Sequence, residues 1–383
     1  MQKKLIYILN HYSKNSTQHF FHVVNLLKEM ASQGADIALV IEKCDEVPDI
    51  YHPGIRVIAQ QKHQPLLRAL ELRSILSKLS GQGFKKVFIR ISAPAALIAK
   101  TVSGLEVYFW QSGTVNEFNK SLPWGKIRLK NYFSSELPFS LVLKTVDWFV
   151  TGPESMGTYY HKAFNIPVNK IKILYNDIDV SRFQVLSASE KLTQKEALNI
   201  PAEHRVILFV HRLSPVRKTL YYMPFILERF LREDSGQTTI ILIGDGSERA
   251  ELSAGVKALN SDRVLMLGSM PNQEIQKYYA IADIFINPTH AEGFPRVLIE
   301  AMACGLPLVT TDAGGIRDIL PPEQLPFMVD KNDREKFASA LIALSDDRVK
   351  MSELRQINRD WVQRYSTEKI AKMYLDVIFL AND

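Results

Sequence analysis

The sequence predicts an α/β fold of two doubly wound domains, and three observations carry that prediction. Short β-rich runs alternate with amphipathic segments almost throughout, the pattern of parallel sheets with helices on both faces. At 383 residues, the chain exceeds the ~250–300 residues at which a single core stops growing. The strand–helix rhythm fades across the polar residues 181–204 and restarts at residue 205.

In the first half the strand candidates are residues 5–9 (LIYIL), 37–42 (IALVIE), 55–59 (IRVIA), 86–91 (KVFIRI), 107–111 (VYFWQ), 148–151 (WFVT) and 170–176 (KIKILYN). Helical patterns separate several of them. Residues 19–34 (HFFHVVNLLKEMASQG) are the clearest case, with apolar residues at helical spacing and Gly34 suited to a stop. The second half offers 205–210 (RVILFV), 238–244 (TTIILIG), 263–268 (RVLMLG), 283–288 (DIFINP) and 307–311 (PLVTT). Doubly wound sheets hold ligands outside the carboxyl ends of their strands. Facing edges of two such sheets, across an interdomain cleft, are therefore where the motifs are expected to converge.

Composition narrows the class. The chain is 46% hydrophobic and 23% charged, ordinary globular values. No run approaches the ~18 uninterrupted apolar residues of a membrane span, and the start MQKKLIYILN suits a buried first strand better than a signal peptide. Cys44 and Cys304 are the only cysteines, so neither a disulfide framework nor a zinc site follows, and a reducing cytoplasm is the expected home. The net charge of +6 is unevenly shared. Residues 1–180 hold 22 Lys and Arg against 14 Asp and Glu, or +8, and the remainder 25 against 27, or −2. A basic half fits an anionic membrane surface, an anionic acceptor or nucleic acid, but no nucleic-acid module accompanies the charge.

The chemistry-bearing residues follow strands. After 205–210 comes HRLSPVRKT, whose Arg212 and Lys218 suit a diphosphate: arginine offers a planar fork, lysine a point charge. After 238–244 comes GDGSER, where Gly244 and Gly246 permit a tight turn or a close backbone approach. After 283–288 comes HAEGFPRVLIEAMACG, read as a loop and then a helix with Pro295 at its first position. The free amides of such a helix start hold phosphate. Glu292 and Glu300 then accept hydrogen bonds from hydroxyls on either side of it, as a sugar nucleotide presents them. Taken alone, Glu292 also reads as a helix-dipole complement and Glu300 as a solvated surface acid. DAGGIRDIL follows the next strand, with Gly314 and Gly315 bringing backbone to the same place.

Together, VHRLSPVRKT, IGDGSER, LGSMPNQEIQKYY and EGFPRVLIEAMACGLPLVTTDAGGIRD resemble the retaining GT-B glycosyltransferases of family 4. The resemblance covers most of the chain and is strongest over 205–320. It implies an N-terminal Rossmann-like acceptor-binding domain (1–178) and a C-terminal nucleotide-sugar-binding domain (179–362). Residues 363–383 become a helix crossing back to the first domain. It further implies that Arg212 and Lys218 bind the diphosphate and stabilise the leaving phosphate. Glu292 would hold donor-sugar hydroxyls, Gly293 and Phe294 close over sugar and phosphate, and Glu300 bind the ribose. Met270 would lie near the base, Ser16 near the phosphates, Gly244 among the substrate-binding residues, and Gln111 where many members carry histidine beside the sugar. The expected partners are a nucleotide-sugar donor and a saccharide or lipid-linked acceptor, with no metal cofactor. The expected pathway is assembly of a surface polysaccharide or glycolipid. A nucleotide-sugar epimerase and a non-catalytic sugar-nucleotide-binding subunit are the alternatives.

Three departures from the family pattern stand out: Pro295 after EGF, His211 before Arg212, and Gln111 itself. Arg90 and Ser92 are further candidates near the donor sugar. Asp177-Ile178-Asp179 follows a strand and is read as an interdomain turn rather than a metal-binding pair. His19 and His22 share a helical face but lack further ligands. Residues 119–139 interleave Lys120, Lys126, Arg128 and Lys130 with Trp124, Tyr132 and Phe133, a mix suited to peripheral contact with an anionic membrane.

Overall fold

The computed structural model of the protein describes residues 3–13, 20–113, 125–234 and 236–380. The chain divides into two compact units, residues 1–177 with 367–383, and residues 178–366. It passes between them twice, at 177/178 and at 366/367.

The first unit is built on seven strands: β1 (Lys3–Leu9), β2 (Ala35–Ile41), β3 (Ile55–Ala59), β4 (Lys86–Arg90), β5 (Glu106–Trp110), β6 (Trp148–Thr151) and β7 (Ile171–Ile173). Their order is β3-β2-β1-β4-β5-β6-β7, and every pair is parallel. Strands covered on both faces need apolar side chains on both. This is why LIYIL in β1 and IALVI in β2 are continuous rather than alternating, and fully buried. On one face, Leu72, Leu76 and Leu79 of helix Pro65–Gly81, the alanines of Ala93–Ala99, and Phe139 and Val142 of Leu137–Thr145 pack on Ile6, Ile8, Val87 and Phe109.

Helix Thr367–Phe379 belongs to this unit as well. Tyr374 packs on Phe88, with ring centroids 5.3 Å apart. The Tyr108 hydroxyl donates to the Ile378 carbonyl (3.2 Å). Where the chain crosses, Thr367 Oγ1 donates to Asp177 Oδ2 (2.8 Å) in the first unit, and Ile178 N donates to Tyr365 O (2.9 Å) in the second.

The second unit holds β8 (Arg205–Val210), β9 (Thr238–Ile243), β10 (Val264–Gly268), β11 (Ile284–Asn287), β12 (Leu308–Asp312) and β13 (Met328–Asp330). They lie in the order β10-β9-β8-β11-β12-β13, again all parallel. The twelve strand candidates of the sequence are all present. The short edge strand β13 was not anticipated, because three residues, MVD, are too few to set up a periodicity. In both sheets the strand order reverses beside a central strand, between β1 and β4 and between β8 and β11. Such a reversal opens a crevice at the carboxyl edge.

Candidate functional site

The reversal in the second sheet places the residues following β8 beside those following β11. Beyond β8 the chain pairs a little further with the segment after β9. His211 N donates to Ile243 O (3.0 Å) and Leu213 N to Asp245 O (2.9 Å). That close pairing explains the glycines of GDG: a Cβ on Gly244 would stand 1.8 Å from the His211 carbonyl oxygen. The sequence left open whether Gly244 served a turn or a close approach. The approach it permits is to the chain's own backbone.

From Ser214 the chain makes a single 3-10 turn (Pro215–Arg217), and helix Thr219–Glu233 follows. Lys218 joins them in the left-handed conformation (φ 54°). The joint sends the two adjacent cations in different directions. Lys218 is exposed and its ammonium lies over the Tyr221 ring, 5.8 Å from the centroid. Arg217 turns toward the loop after β11, and its carbonyl accepts from His290 N (3.2 Å).

Glu292 sits in that loop with its side chain 9% exposed. Its Oε1 meets two partners, His211 Nε2 at 2.7 Å and Arg217 Nε at 3.1 Å. Burial by itself would raise the carboxyl's pKa. The Arg217 charge and the His211 hydrogen bond overcome that and hold it at about 2, so the group is ionised at any ordinary pH. Glu292 is therefore no solvated complement to a helix dipole. The backbone beneath it is fixed from the other side by Gly314 (φ 59°), where a Cβ would fall 1.8 Å from the Glu292 carbonyl oxygen. Gly293 and Phe294 are buried, and the Phe294 ring packs edge-on against Tyr365 (5.4 Å).

The helix after this loop spans Arg296–Ala303, and Pro295 is its N-cap in extended conformation rather than its first helical residue. The expectation that Pro295 is the first helical residue is corrected accordingly. The missing N–H belongs to the cap, and no side chain caps the helix. Glu300 is buried on this helix with Leu298, Ile299, Ala301 and Met302. Its Oε2 accepts from the buried Tyr279 hydroxyl (3.1 Å), and Arg296 Nε lies 3.8 Å from its Oε1. Burial, then the Glu300 charge, pushes the Tyr279 hydroxyl well above its usual pKa, which keeps it a donor.

Of the residues singled out in the sequence, Arg212, Lys218, Gly244, Met270, Glu292, Gly293, Phe294 and Glu300 all fall in the second unit. Arg212 is exposed directly after β8, and Met270 is half-buried before helix Asn272–Ile281. Among the described residues, the guanidinium of Arg212 and the ammonium of Lys218 have no ion-pair partner. Gln111 lies in the first unit beyond β5, with its N–H on Val150 O (2.9 Å) and its amide 3.4 Å from Ser112 O. Arg90 and Ser92 are buried. The Arg90 guanidinium donates to Asn176 Oδ1 (2.5 Å) and stacks over Trp110. Ser16, His19, Lys120 and Trp124 lie outside the described residues. The carboxylates of the Asp-Ile-Asp segment are engaged locally, Asp177 by Thr367 and Asp179 by Ser181.

Sequence reasoning missed Arg217 as a partner of Glu292 and left His211 without a role. The RK pair offers two equivalent cations, and only the backbone angles at Lys218 decide which one turns inward.

Two Rossmann-like parallel-sheet domains, with polar loops following the strands of the second, define a chain of the GT-B class. Residues 190–361 match the model of the glycosyl transferases group 1. An uncharacterized glycosyltransferase of Methanocaldococcus jannaschii is 29% identical over 61% of this chain and 60% of its own length. The UDP-Gal:α-D-GlcNAc-diphosphoundecaprenol α-1,3-galactosyltransferase of Escherichia coli is 26% identical over 57% of each chain. The chain thus spans about three fifths of the length of these two relatives. Among solved structures, Anabaena HepE in complex with UDP-glucose superposes over 98% of both chains, with a TM-score of 0.73 at 17% identity, and shares the fold.

Proposed function

We propose that this protein transfers a sugar from a nucleoside-diphosphate donor to a saccharide or lipid-linked acceptor, with retention of the anomeric configuration and without a metal. The observation that carries the reading is the Glu292 carboxylate: buried, ionised and, among the described residues, tied through one oxygen only, beside a strand end rich in cations. Oε1 is held by His211 and Arg217, which leaves Oε2 for the hydroxyls of a donor sugar. In this reading Arg212 and Lys218 bind the diphosphate, and Glu300, hydrogen-bonded by Tyr279, offers a carboxylate to the ribose. Support for the donor class comes from Anabaena HepE, solved with UDP-glucose. Support for a lipid-linked acceptor comes from the diphosphoundecaprenol named for the E. coli relative.

In this scheme the bond from the anomeric carbon to the diphosphate oxygen breaks as the cations and the start of helix Arg296–Ala303 stabilise the departing charge. The acceptor oxygen bonds to the anomeric carbon on the same face, and its proton passes to the departing phosphate. No close pair of carboxylates of the glycosidase kind is required.

A thermal-shift screen of UDP-, GDP-, ADP- and TDP-sugars tests the donor, since a ligand at 100 times its Kd stabilises by about 2.7 kcal/mol. Transfer assays with and without chelator, read by NMR for the anomeric configuration, test the rest. Near-normal turnover of Arg212→Ala with Lys218→Ala would remove those two side chains from the phosphate site. Sugar inversion without any acceptor would favour the epimerase.

We also propose a peripheral membrane contact for the first unit. Ile127 and Phe133 are 72% and 62% exposed on the segment that carries the exposed Lys126 and Lys130, in the half of the chain with net charge +8. Among the described residues, no helix is long and apolar enough to cross a membrane. Binding to vesicles with anionic lipid should fall for Ile127→Asp/Phe133→Asp. Unchanged binding would remove this segment from the contact.

A further inference from the structure

His211 is the one titratable side chain beside Glu292 for which the proposed chemistry has no use so far, and its surroundings are built. The backbone at 211 is fixed by its hydrogen bond to Ile243 and by the bare Cα of Gly244 against its carbonyl. The ring is 5% exposed. It lies nearly parallel to Phe209, at 23° with centroids 6.0 Å apart. Nδ1 is 3.2 Å from the Arg212 carbonyl oxygen and Nε2 is 2.7 Å from Glu292 Oε1.

Chemistry settles the direction of the short bond. An unprotonated Nε2 would set its lone pair against a carboxylate lone pair at 2.7 Å, so Nε2 carries the proton and donates. Arg217 Nε, 3.2 Å from that nitrogen and 3.1 Å from Oε1, then has only the carboxylate to donate to. Two donors therefore converge on Oε1 from the protein side. Among the described residues none reaches Oε2. A carboxylate pinned through one oxygen by two groups at an angle cannot rotate without giving up a charge-assisted hydrogen bond.

We propose that His211 is a positioning residue for Glu292: by donating to Oε1 it aims Oε2 at the hydroxyls of the donor sugar, and so sets how strongly the sugar contributes to donor binding. The inference rests on the transferase reading given above. It goes beyond that reading by assigning sugar discrimination to a side chain that touches neither sugar nor phosphate.

The test compares UDP-glucose with UDP, and GDP-mannose with GDP, by calorimetry on wild-type protein and variants. In wild type, the sugar conjugate of the accepted pair binds more tightly than its diphosphate. His211→Phe keeps a ring against Phe209 and removes the donor. It should leave diphosphate affinity within about two-fold and lower the affinity for the conjugate about ten-fold, the size expected of one charge-assisted hydrogen bond. His211→Gln, which restores an N–H donor, should recover most of the loss. Glu292→Gln should reproduce the loss, and His211→Phe/Glu292→Gln should be no worse than either alone, because the two act as one unit. A merely structural role would lower both affinities together and would not be rescued by glutamine. If wild type binds a conjugate more tightly than its diphosphate and His211→Phe does so equally, the inference falls and the transferase reading stands. If wild type binds no member of either pair, nor any sugar nucleotide in the screen, both fall together.

Discussion

The buried carboxylate of Glu292 makes acid stability a readout of its ion cluster. A carboxyl whose folded pKa is about 2 against an ordinary 4.5 contributes stability that is full above the unfolded value. That contribution is lost as the pH falls through the folded one. The linked free energy is on the order of 3 kcal/mol, so Glu292→Gln should flatten the loss of Tm between pH 4.5 and 2 relative to wild type. Equal acid sensitivity of the two would mean that the His211–Arg217–Glu292 cluster is not formed in solution. Glu300 invites a separate measurement. Tyr279→Phe removes its buried hydroxyl donor and should cost about 2 kcal/mol of stability while weakening nucleoside diphosphate binding. Unchanged affinity would show that the tyrosine does not orient that carboxylate toward the ligand. Sequence alone named both glutamates. It did not show that each is buried with protein donors, because burial depends on which helices and loops pack above a strand end.

Loops and helix ends hold these groups in place, and glycine is what lets them approach one another. Gly314 combines a left-handed φ with a Cβ position 1.8 Å from the Glu292 carbonyl oxygen. Gly314→Ala should therefore destabilise the second unit by more than about 1 kcal/mol and lower donor affinity as the Glu292 loop shifts. Hydrogen exchange over residues 289–296 checks this, and wild-type protection there would contradict it. The elements themselves were largely legible. Continuous apolar runs marked buried parallel strands, and Pro295 marked a helix start to within one residue. The cap assignment was not legible, since a proline satisfies the steric demands of both the cap and the first turn. Nor was the turn at Lys218, where a non-glycine residue takes a left-handed backbone. Nothing in RKT announces that choice.

At the scale of the whole molecule, the chain makes two cores and crosses between them twice. The hydrogen bond from Thr367 to Asp177 ties the returning segment to the outgoing one within the first unit. Thr367→Val should cost about 1–2 kcal/mol and lower the Tm of the first unit, leaving nucleoside diphosphate affinity within two-fold. A large loss of affinity would show that the tie also serves the ligand site. The alternation of strands with helices, the length that calls for two domains and the polar loops that follow the strands were determined by the sequence itself, as local matters of periodicity, length and turn chemistry. The return of the last helix was legible only as what the family resemblance implies. What tertiary structure alone decided is which polar side chains share a hydrogen bond. Arg217 and not Lys218 meets Glu292, His211 joins them from the end of β8, and Gly244 and Gly314 serve the chain's own backbone. The two hydrogen bonds to Glu292 link residues 81 and 75 positions apart. Only the order of strands in the sheet brings such positions to one edge, and no local pattern encodes that order.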